Sequence, residues 1–193
     1  GEELPETFHF RRVSDGMAQN AVLALAAAWE LGVKPVDLRA RLADWRPGKL
    51  RGEVIERDGQ LIYVDCYNAN PASMADALAA FAGVVPAAEP RLYLLGGMEE
   101  LGPDARRMHR ELGRFLALRS GDRALVTGPF AGEVLAGLRD AGAAPEQAEE
   151  IPDAEAARPA LAAWRGAVFV KGSRKYRLEH ALAGAGEEAA VHA

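Results

Sequence analysis

Short apolar runs alternate with helical patterns along most of the chain from residue 51 onward. The runs at residues 92–95 (LYLL) and 167–170 (AVFV) are continuous, which is typical of strands buried on both faces. Strands separated by helices of about 10 to 15 residues indicate βαβ units. The pattern therefore predicts an α/β fold, with a Rossmann-like, mostly parallel sheet and helices on both of its faces.

The spacing of apolar residues also sets the bounds of the predicted elements. Helices are predicted over residues 17–31, 35–45, 72–84, 104–118, 130–141, 154–164 and 176–183. Strands are predicted over residues 8–13, 52–57, 60–65, 91–95, 123–127 and 167–170, with a weak strand near residue 151. The dipeptide Asp58-Gly59 is a type I′ turn signal, so the second and third of these strands should form a hairpin.

A domain boundary is predicted at the turn signal Arg46-Pro47-Gly48. The segment before it has one strand with nothing to pair with, followed by two helices. Residues 1–48 are therefore expected to be the tail of a domain whose body lies upstream. Residues 49–193 are long enough to form a domain of their own, since domains commonly have about 100 to 200 residues.

The composition of the chain limits the classes of molecule that it is expected to bind. The formal net charge is -5 and 49% of the residues are hydrophobic, as in ordinary globular proteins. An acidic balance argues against binding nucleic acid or anionic membranes, which requires clustered Lys and Arg. No stretch approaches the roughly 18 apolar residues of a membrane span, and the one cysteine cannot form an intrachain disulfide. We expect a cytoplasmic protein without a membrane span.

The first candidate site follows the strand at residues 60–65 and reads Asp65-Cys66-Tyr67-Asn68-Ala69-Asn70-Pro71. In an open α/β sheet, ligands bind at the carboxyl ends of strands, beside the N-termini of helices. The carboxylate of Asp65 and the amide of Asn68 suit a ribose or a phosphate, and the following helix presents free N–H groups. Asn70 has an alternative role as the helix cap, with Pro71 at the first helical position.

Two further junctions follow apolar strands, and because parallel strands end at the same edge of a sheet, we expect all three junctions to meet at that edge. Gly96-Gly97 permits a ligand to approach the backbone closely, or simply forms a turn. Lys171, Ser173 and Arg174 place two cations and a hydroxyl after a buried strand, where they suit a carboxylate or a phosphate. The alternative for this last junction is a solvated helix start. Elsewhere, Cys66 is predicted to be a small buried residue, and His109 to be structural or solvated.

Together these motifs resemble the Mur ligase family, and in particular its MurF branch. Residues 65–74 (DCYNANPASM) resemble that branch's D-S-Y-N-A-N-P-x-S-M signature, and residues 97–102 (GMEELG) its D-M-x-E-L-G segment. Residues 171–174 with Glu179 resemble its K-G-S-R-x-x-x-M-E motif. Upstream, residues 20–24 (NAVLA) resemble the helix that ends the family's central ATPase domain, and residues 51–53 (RGE) the entry to its C-terminal domain.

The resemblance implies the C-terminal part of a three-domain ligase of peptidoglycan synthesis. Such a ligase uses ATP and Mg²⁺ to activate the carboxylate of UDP-MurNAc-tripeptide as an acyl phosphate, which the amine of D-Ala-D-Ala attacks. The N-terminal and central domains would be partners of this segment. The implied nucleotide-binding residues are Asn20 near the adenine, Arg51 near the phosphates, and Asp65, Asn68 and Asn70 near the ribose and phosphates. The residues implied for the dipeptide are Lys171, Ser173 and Arg174, and no residue is assigned a catalytic or metal-binding role.

The sequence also departs from the family pattern. Gly16 stands at a histidine position, Gly97 and Val64 at Asp positions, Cys66 at a Ser and Leu178 at a Met. The G-K-T/S of a P-loop is absent, so the chain by itself is expected not to form the acyl phosphate. Two alternatives stay open: another Mur-like amide ligase of the folylpolyglutamate or cyanophycin synthetase type, and a non-catalytic nucleotide- or peptide-binding module derived from a Mur ligase.

Overall fold

The computed structural model describes residues 8–9 and 13–182. The chain divides into two compact units, Gly1–Gly48 and Lys49–Ala193. The first unit contains helices α1 (Asp15–Glu30) and α2 (Pro35–Ala43). Ser14 caps α1 by accepting a hydrogen bond from the Met17 N–H. The strand predicted over residues 8–13 lies partly outside the described residues, and residues 8, 9 and 13 have no regular structure.

The second unit alternates strands and helices as the sequence predicts. Its strands are β1 (Glu53–Arg57), β2 (Gln60–Asp65), β3 (Arg91–Gly96), β4 (Arg123–Thr127), β5 (Ala148–Glu150) and β6 (Ala167–Lys171). Its helices are α3 (Pro71–Val84), α4 (Ala105–Leu116), α5 (Ala131–Asp140) and α6 (Arg158–Ala163). Short 3₁₀ turns cover Gly102–Asp104, Pro145–Gln147, Glu155–Ala157, Arg174–Tyr176 and Leu178–Leu182.

The six strands form one sheet in the order β1-β2-β6-β3-β4-β5. Only the β1–β2 hairpin is antiparallel, and Asp58 and Gly59 in its turn both have positive φ, as a type I′ turn requires. The other four strand pairs are parallel. The predicted mostly parallel sheet is therefore confirmed, and β6 lies between β2 and β3.

Helices cover both faces of this sheet. One core cluster joins α3, α4 and α5 to the sheet and includes Phe81, Leu112 and Leu138. The other includes Leu161 of α6 and Leu178 of the last 3₁₀ turn. Burial on both faces explains why the sequences of β3 and β6 are continuously apolar.

Two predicted helices are wrong in part. Residues 176–183 form no α-helix among those described, because Arg177 has a left-handed backbone (φ +46°) that separates two 3₁₀ turns. The helix predicted over residues 154–164 begins as a 3₁₀ turn and becomes α-helical only at Arg158. Pro159 follows Arg158, and it has no N–H with which to continue a helix from the preceding turn.

Candidate functional site

The carboxyl ends of β2, β6 and β3 lie side by side, because Asp65 pairs with Lys171 and Lys171 with Leu95 in the sheet register. Lys171 is 1% exposed, and its Nζ lies 2.6 Å from Asp65 Oδ2. It also donates to the backbone oxygens of Asn68 at 3.1 Å and of Asp65 at 3.3 Å. A lysine ammonium has three N–H donors. All three have acceptors here, so Lys171 joins the end of β6 to the loop after β2.

A second link joins the end of β6 to the loop after β3. The Ser173 N–H donates to the Gly97 carbonyl oxygen at 3.0 Å. The prediction that the Asp65, Gly97 and Lys171 junctions meet at one edge of the sheet is therefore confirmed. This carboxyl edge, formed by the loops after β2, β3 and β6, is the candidate functional site.

The loop after β2 leads directly into α3. Asn70 caps that helix: its Oδ1 accepts from the Ser73 N–H at 2.9 Å, and its own N–H donates to Ser73 Oγ at 3.0 Å. The capping interpretation of Asn70 is therefore confirmed, while its role toward a nucleotide stays a prediction. Asn68 is exposed on the same loop, and its Oδ1 accepts from the Ala69 N–H.

Arg51 is held beside this loop by the chain entering β1. The Tyr67 N–H donates to the Leu50 carbonyl oxygen at 3.2 Å, and the Arg51 guanidinium lies 4.0 Å from the centre of the Tyr67 ring. Both side chains are exposed. A cation on an aromatic face is favourable and leaves the guanidinium edge open to an anion. The sequence predicts Arg51 and the Asp65 loop as separate pieces of a site, and the structure brings them together.

Arg174 lies on the first 3₁₀ turn after β6 and is 46% exposed. Its Nη1 donates to Glu179 Oε1, and the second oxygen of Glu179 is 3.7 Å from the thiol of Cys66. Burial, followed by the nearby Glu179 charge, raises the pKa of Cys66 to about 12. Cys66 is thus the small buried residue that the sequence predicts.

Tyr176 is a site residue that sequence reasoning missed. Its ring lies over Gly96, Gly97 and Gly128, and a Cβ added at Gly97 would be only 2.7 Å from the phenol oxygen. The Tyr176 hydroxyl donates to Glu99 Oε1. The glycine pair Gly96-Gly97 indicated a close approach at this place, but the sequence does not show which side chain packs over the two glycines.

Glu99 also contacts a cation, since Lys175 Nζ is 3.2 Å from its Oε2. The hydrogen bond from Tyr176, together with Lys175, lowers the pKa of the Glu99 carboxyl against the opposing effect of burial. Glu99 is therefore a carboxylate at neutral pH, fixed at the carboxyl edge of the sheet.

His109 of α4 holds the loop after β3 through a hydrogen bond to its backbone. It is 1% exposed, its Nε2 accepts from the Met98 N–H at 2.9 Å, and its Nδ1 lies 2.7 Å from the Ala105 carbonyl oxygen. One ring nitrogen must accept and the other donate, so the imidazole is neutral. Burial lowers the pKa of His109 accordingly. The structural interpretation of His109 is confirmed.

Asn20 is exposed on α1, in the first unit. Within residues 8–9 and 13–182, no three His, Cys, Asp or Glu side chains are grouped as metal ligands would be. No helix in the same part of the chain is long and apolar enough to cross a membrane.

The chain is similar in sequence and in fold to known ligases. The UDP-N-acetylmuramoyl-tripeptide--D-alanyl-D-alanine ligase of Mycobacterium tuberculosis is 37% identical over 119 residues, which are 59% of this chain and 23% of that protein. A MurF structure from Acinetobacter baumannii superposes with a TM-score of 0.72 at 27% identity, over 87% of this chain and 37% of the other. MurF from Thermotoga maritima in complex with ADP gives a TM-score of 0.69 at 27% identity, over 88% and 37%.

The chain spans about a quarter of the length of these curated relatives. The model of the family described as "Mur ligase, glutamate ligase domain" matches residues 50–174, which include all three loops of the carboxyl edge. This chain therefore belongs to the Mur ligase family.

Proposed function

We propose that this chain is the C-terminal part of an ATP-dependent amide ligase that adds D-Ala-D-Ala to UDP-MurNAc-tripeptide in cytoplasmic peptidoglycan synthesis. The observation that carries the proposal is the meeting of residues 65–74 and 171–174 at one edge of the sheet. Relatives with this stated activity match 119 and 112 residues of the chain, and the family model covers both motifs. Residues 1–48 would then be the end of the central ATPase domain, and the N-terminal and central domains would complete the enzyme.

The exposed groups of the carboxyl edge suit the phosphates and the ribose of a bound nucleotide. Arg51 offers an unburied cation to the phosphates, and Asn68 an exposed amide to the ribose. Bound ATP supplies the phosphoryl group that activates the acceptor carboxylate. The side-chain amide of Asn70 adds N–H donors at the same place, whereas the backbone N–H groups of Asn70 and Ser73 are already bonded within the helix cap. Asn20 is assigned to the adenine on the resemblance of its helix to the family's.

Asp65 and Lys171 contribute to this surface indirectly. The Asp65 carboxylate is bonded to the Lys171 ammonium, whose three donors all have acceptors within the chain. We therefore assign the pair to holding the Asn68 loop in its conformation. The described residues offer no grouped set of ligands for Mg²⁺, so binding of that ion is assigned to the remainder of the enzyme.

Ser173 and Arg174 are the proposed ligands of the dipeptide carboxylate. Arg174 uses Nη1 for Glu179, which leaves further guanidinium N–H groups for a second anion. In the complete enzyme, Arg174→Ala should raise the KM for D-Ala-D-Ala by about tenfold to a hundredfold, because a hydrogen bond to a charged group contributes roughly 1.5 to 3 kcal/mol. The KM for ATP should stay within a few-fold.

Arg177→Ala is the matched control, since Arg177 is an exposed cation in the same segment and is assigned no ligand. It should leave both KM values unchanged. A rise in the KM for ATP alone in the Arg174→Ala enzyme would move this loop to the nucleotide and contradict the proposed role.

The isolated chain should bind ATP only weakly, because its sequence has no G-K-T/S phosphate cradle and offers only the closing surface. Calorimetric titration measures this directly. Submicromolar affinity for ATP would mean that the nucleotide site is not divided between this segment and the central domain.

A further inference from the structure

The carboxylate of Glu99 has no part in the function proposed above, yet it lies on the same edge as Arg174. It follows the end of β3 and is 32% exposed. One of its oxygens accepts from the Tyr176 hydroxyl, and the other faces the Lys175 ammonium at 3.2 Å. Oε2 of Glu99 is therefore already placed to bind a primary ammonium group.

Tyr176 fixes the direction of this carboxylate. The phenol ring is confined by Gly96, Gly97 and Gly128, where added Cβ atoms would lie 3.2, 2.7 and 2.8 Å from its nearest atoms. A ring held this closely keeps its hydroxyl in one place. Since that hydroxyl bonds to Oε1 of Glu99, the other oxygen is left for an ammonium group, and Lys175 Nζ occupies that position 6.0 Å from the centre of the Tyr176 ring.

Lys175 is a weak occupant of the position at Oε2. Its side chain is 64% exposed, and exposed ion pairs contribute little because water and side-chain entropy oppose them. Another ammonium group arriving with further contacts of its own can therefore displace it. The Lys175–Glu99 pair shows that a primary ammonium fits at this carboxylate.

The same short turn carries the proposed carboxylate ligand. Arg174, Lys175 and Tyr176 form one 3₁₀ turn, and consecutive Cα atoms are about 3.8 Å apart. Arg174 bonds to Glu179 while its two neighbours contact Glu99, so the same turn connects the guanidinium of Arg174 to the carboxylate of Glu99. An extended dipeptide separates its ammonium from its carboxylate by about 7 Å. One short turn thus presents a partner for each of the two charged ends of such a dipeptide.

We propose that Glu99 binds the ammonium group of the incoming D-Ala-D-Ala, opposite the carboxylate held by Arg174. Tyr176 acts as a positioning residue for Glu99, and Lys175 occupies the ammonium position until the dipeptide displaces it. This inference rests on the proposed function and names the residue that recognises the amine end of its substrate.

The test compares two ligands that differ only in the ammonium group. D-Ala-D-Ala and N-propionyl-D-alanine, in which a hydrogen replaces the ammonium, are titrated into the 193-residue chain at millimolar concentrations and followed by amide chemical shifts. The wild-type chain should bind D-Ala-D-Ala at least about tenfold more tightly, because the charge-assisted hydrogen bond is lost with the analogue. Glu99→Gln should bind the two ligands equally.

Three further variants test the separate roles proposed for Tyr176, Lys175 and Glu99. Tyr176→Phe should reduce the preference for D-Ala-D-Ala several-fold without unfolding the chain, and Lys175→Met should leave it equal or larger. Glu100→Gln removes an exposed neighbouring carboxylate and should leave the preference unchanged.

A preference that survives Glu99→Gln would overturn the inference, as would equal binding of both ligands by the wild-type chain. Equal binding that is lost in Arg174→Ala would leave the proposed function intact and contradict only the role of Glu99. Binding of neither ligand would contradict both, because this segment would then not hold the dipeptide.

Discussion

The phenol oxygen of Tyr176 lies only 2.7 Å from the position that a Cβ at residue 97 would occupy, which is too close for a side chain there. The sequence resembles a family motif with Asp at that position. Gly97 and Tyr176 therefore form a matched pair: the absence of a side chain at one position makes room for the ring at the other. The glycine is explained by packing within the site.

Gly97→Asp should destabilise the chain by about 1 to 3 kcal/mol, because overpacking forces the Tyr176 ring from its place. Adding Tyr176→Ala should recover part of that loss, giving an interaction free energy of about 0.5 to 3 kcal/mol in a double-mutant cycle. Urea unfolding measures all four chains. Gly132→Asp is the control, since a Cβ at Gly132 meets no atom within 4 Å. Additive effects of the two substitutions would contradict the pairing.

The buried Lys171–Asp65 pair should contribute strongly to stability. Lys171→Met leaves Asp65 without its cation, and breaking a buried ion pair costs about 3 to 5 kcal/mol. Because the Asp65 side chain is partly exposed, we expect the lower end of that range. Lys175→Met is the matched control, and loss of its exposed pair with Glu99 should cost no more than about 1 kcal/mol. Equal losses in the two variants, measured by chemical denaturation, would show that burial of Lys171 has no energetic weight.

His109 should make stability depend on pH below neutrality. Burial lowers its pKa in the folded chain, so the unfolded chain takes up a proton first, and the free energy of unfolding should fall as pH drops below about 6.5. The carboxyls with lowered pKa, such as Glu99 and Asp140, lose their contribution only at more acidic pH.

Urea unfolding at pH 7.5 and 5.5 tests this dependence. His109→Leu should be less stable than wild type at both pH values but should lose most of the difference between them. His180→Gln removes a half-buried histidine paired with Glu155 and is the control. A pH dependence that is unchanged in His109→Leu but lost in His180→Gln would show that His180, and not His109, causes it.

Cys66 should resist modification while the chain is folded. Its pKa of about 12 leaves almost no thiolate at pH 8, and the side chain is fully buried. A disulfide reagent such as DTNB should react within the mixing time in urea and slowly, through unfolding, in buffer. A Cys66→Ser chain carrying Val84→Cys, with its thiol at an exposed position, is the positive control. Rapid labelling of folded wild type would contradict the burial of this site.

Sequence by itself determined the features that depend on local pattern. Continuous apolar runs and helical spacing predicted the α/β sheet, because a parallel strand must bury both faces. The Asp58-Gly59 turn and the Asn70 cap follow from the conformations and hydrogen bonds of those few residues. Parallel strands also end at one edge, so the meeting of the Asp65, Gly97 and Lys171 loops could be predicted without coordinates.

Tertiary structure alone decided what those residues contact. A lysine after a buried strand is compatible with a bound ligand or an internal partner, and only the insertion of β6 between β2 and β3 places Lys171 beside Asp65. The same insertion brings Tyr176 over Gly96 and Gly97 at the end of β3, and its hydroxyl to Glu99. These contacts join residues far apart in the chain. Local sequence does not determine the order of the strands in the sheet, so it could not predict them.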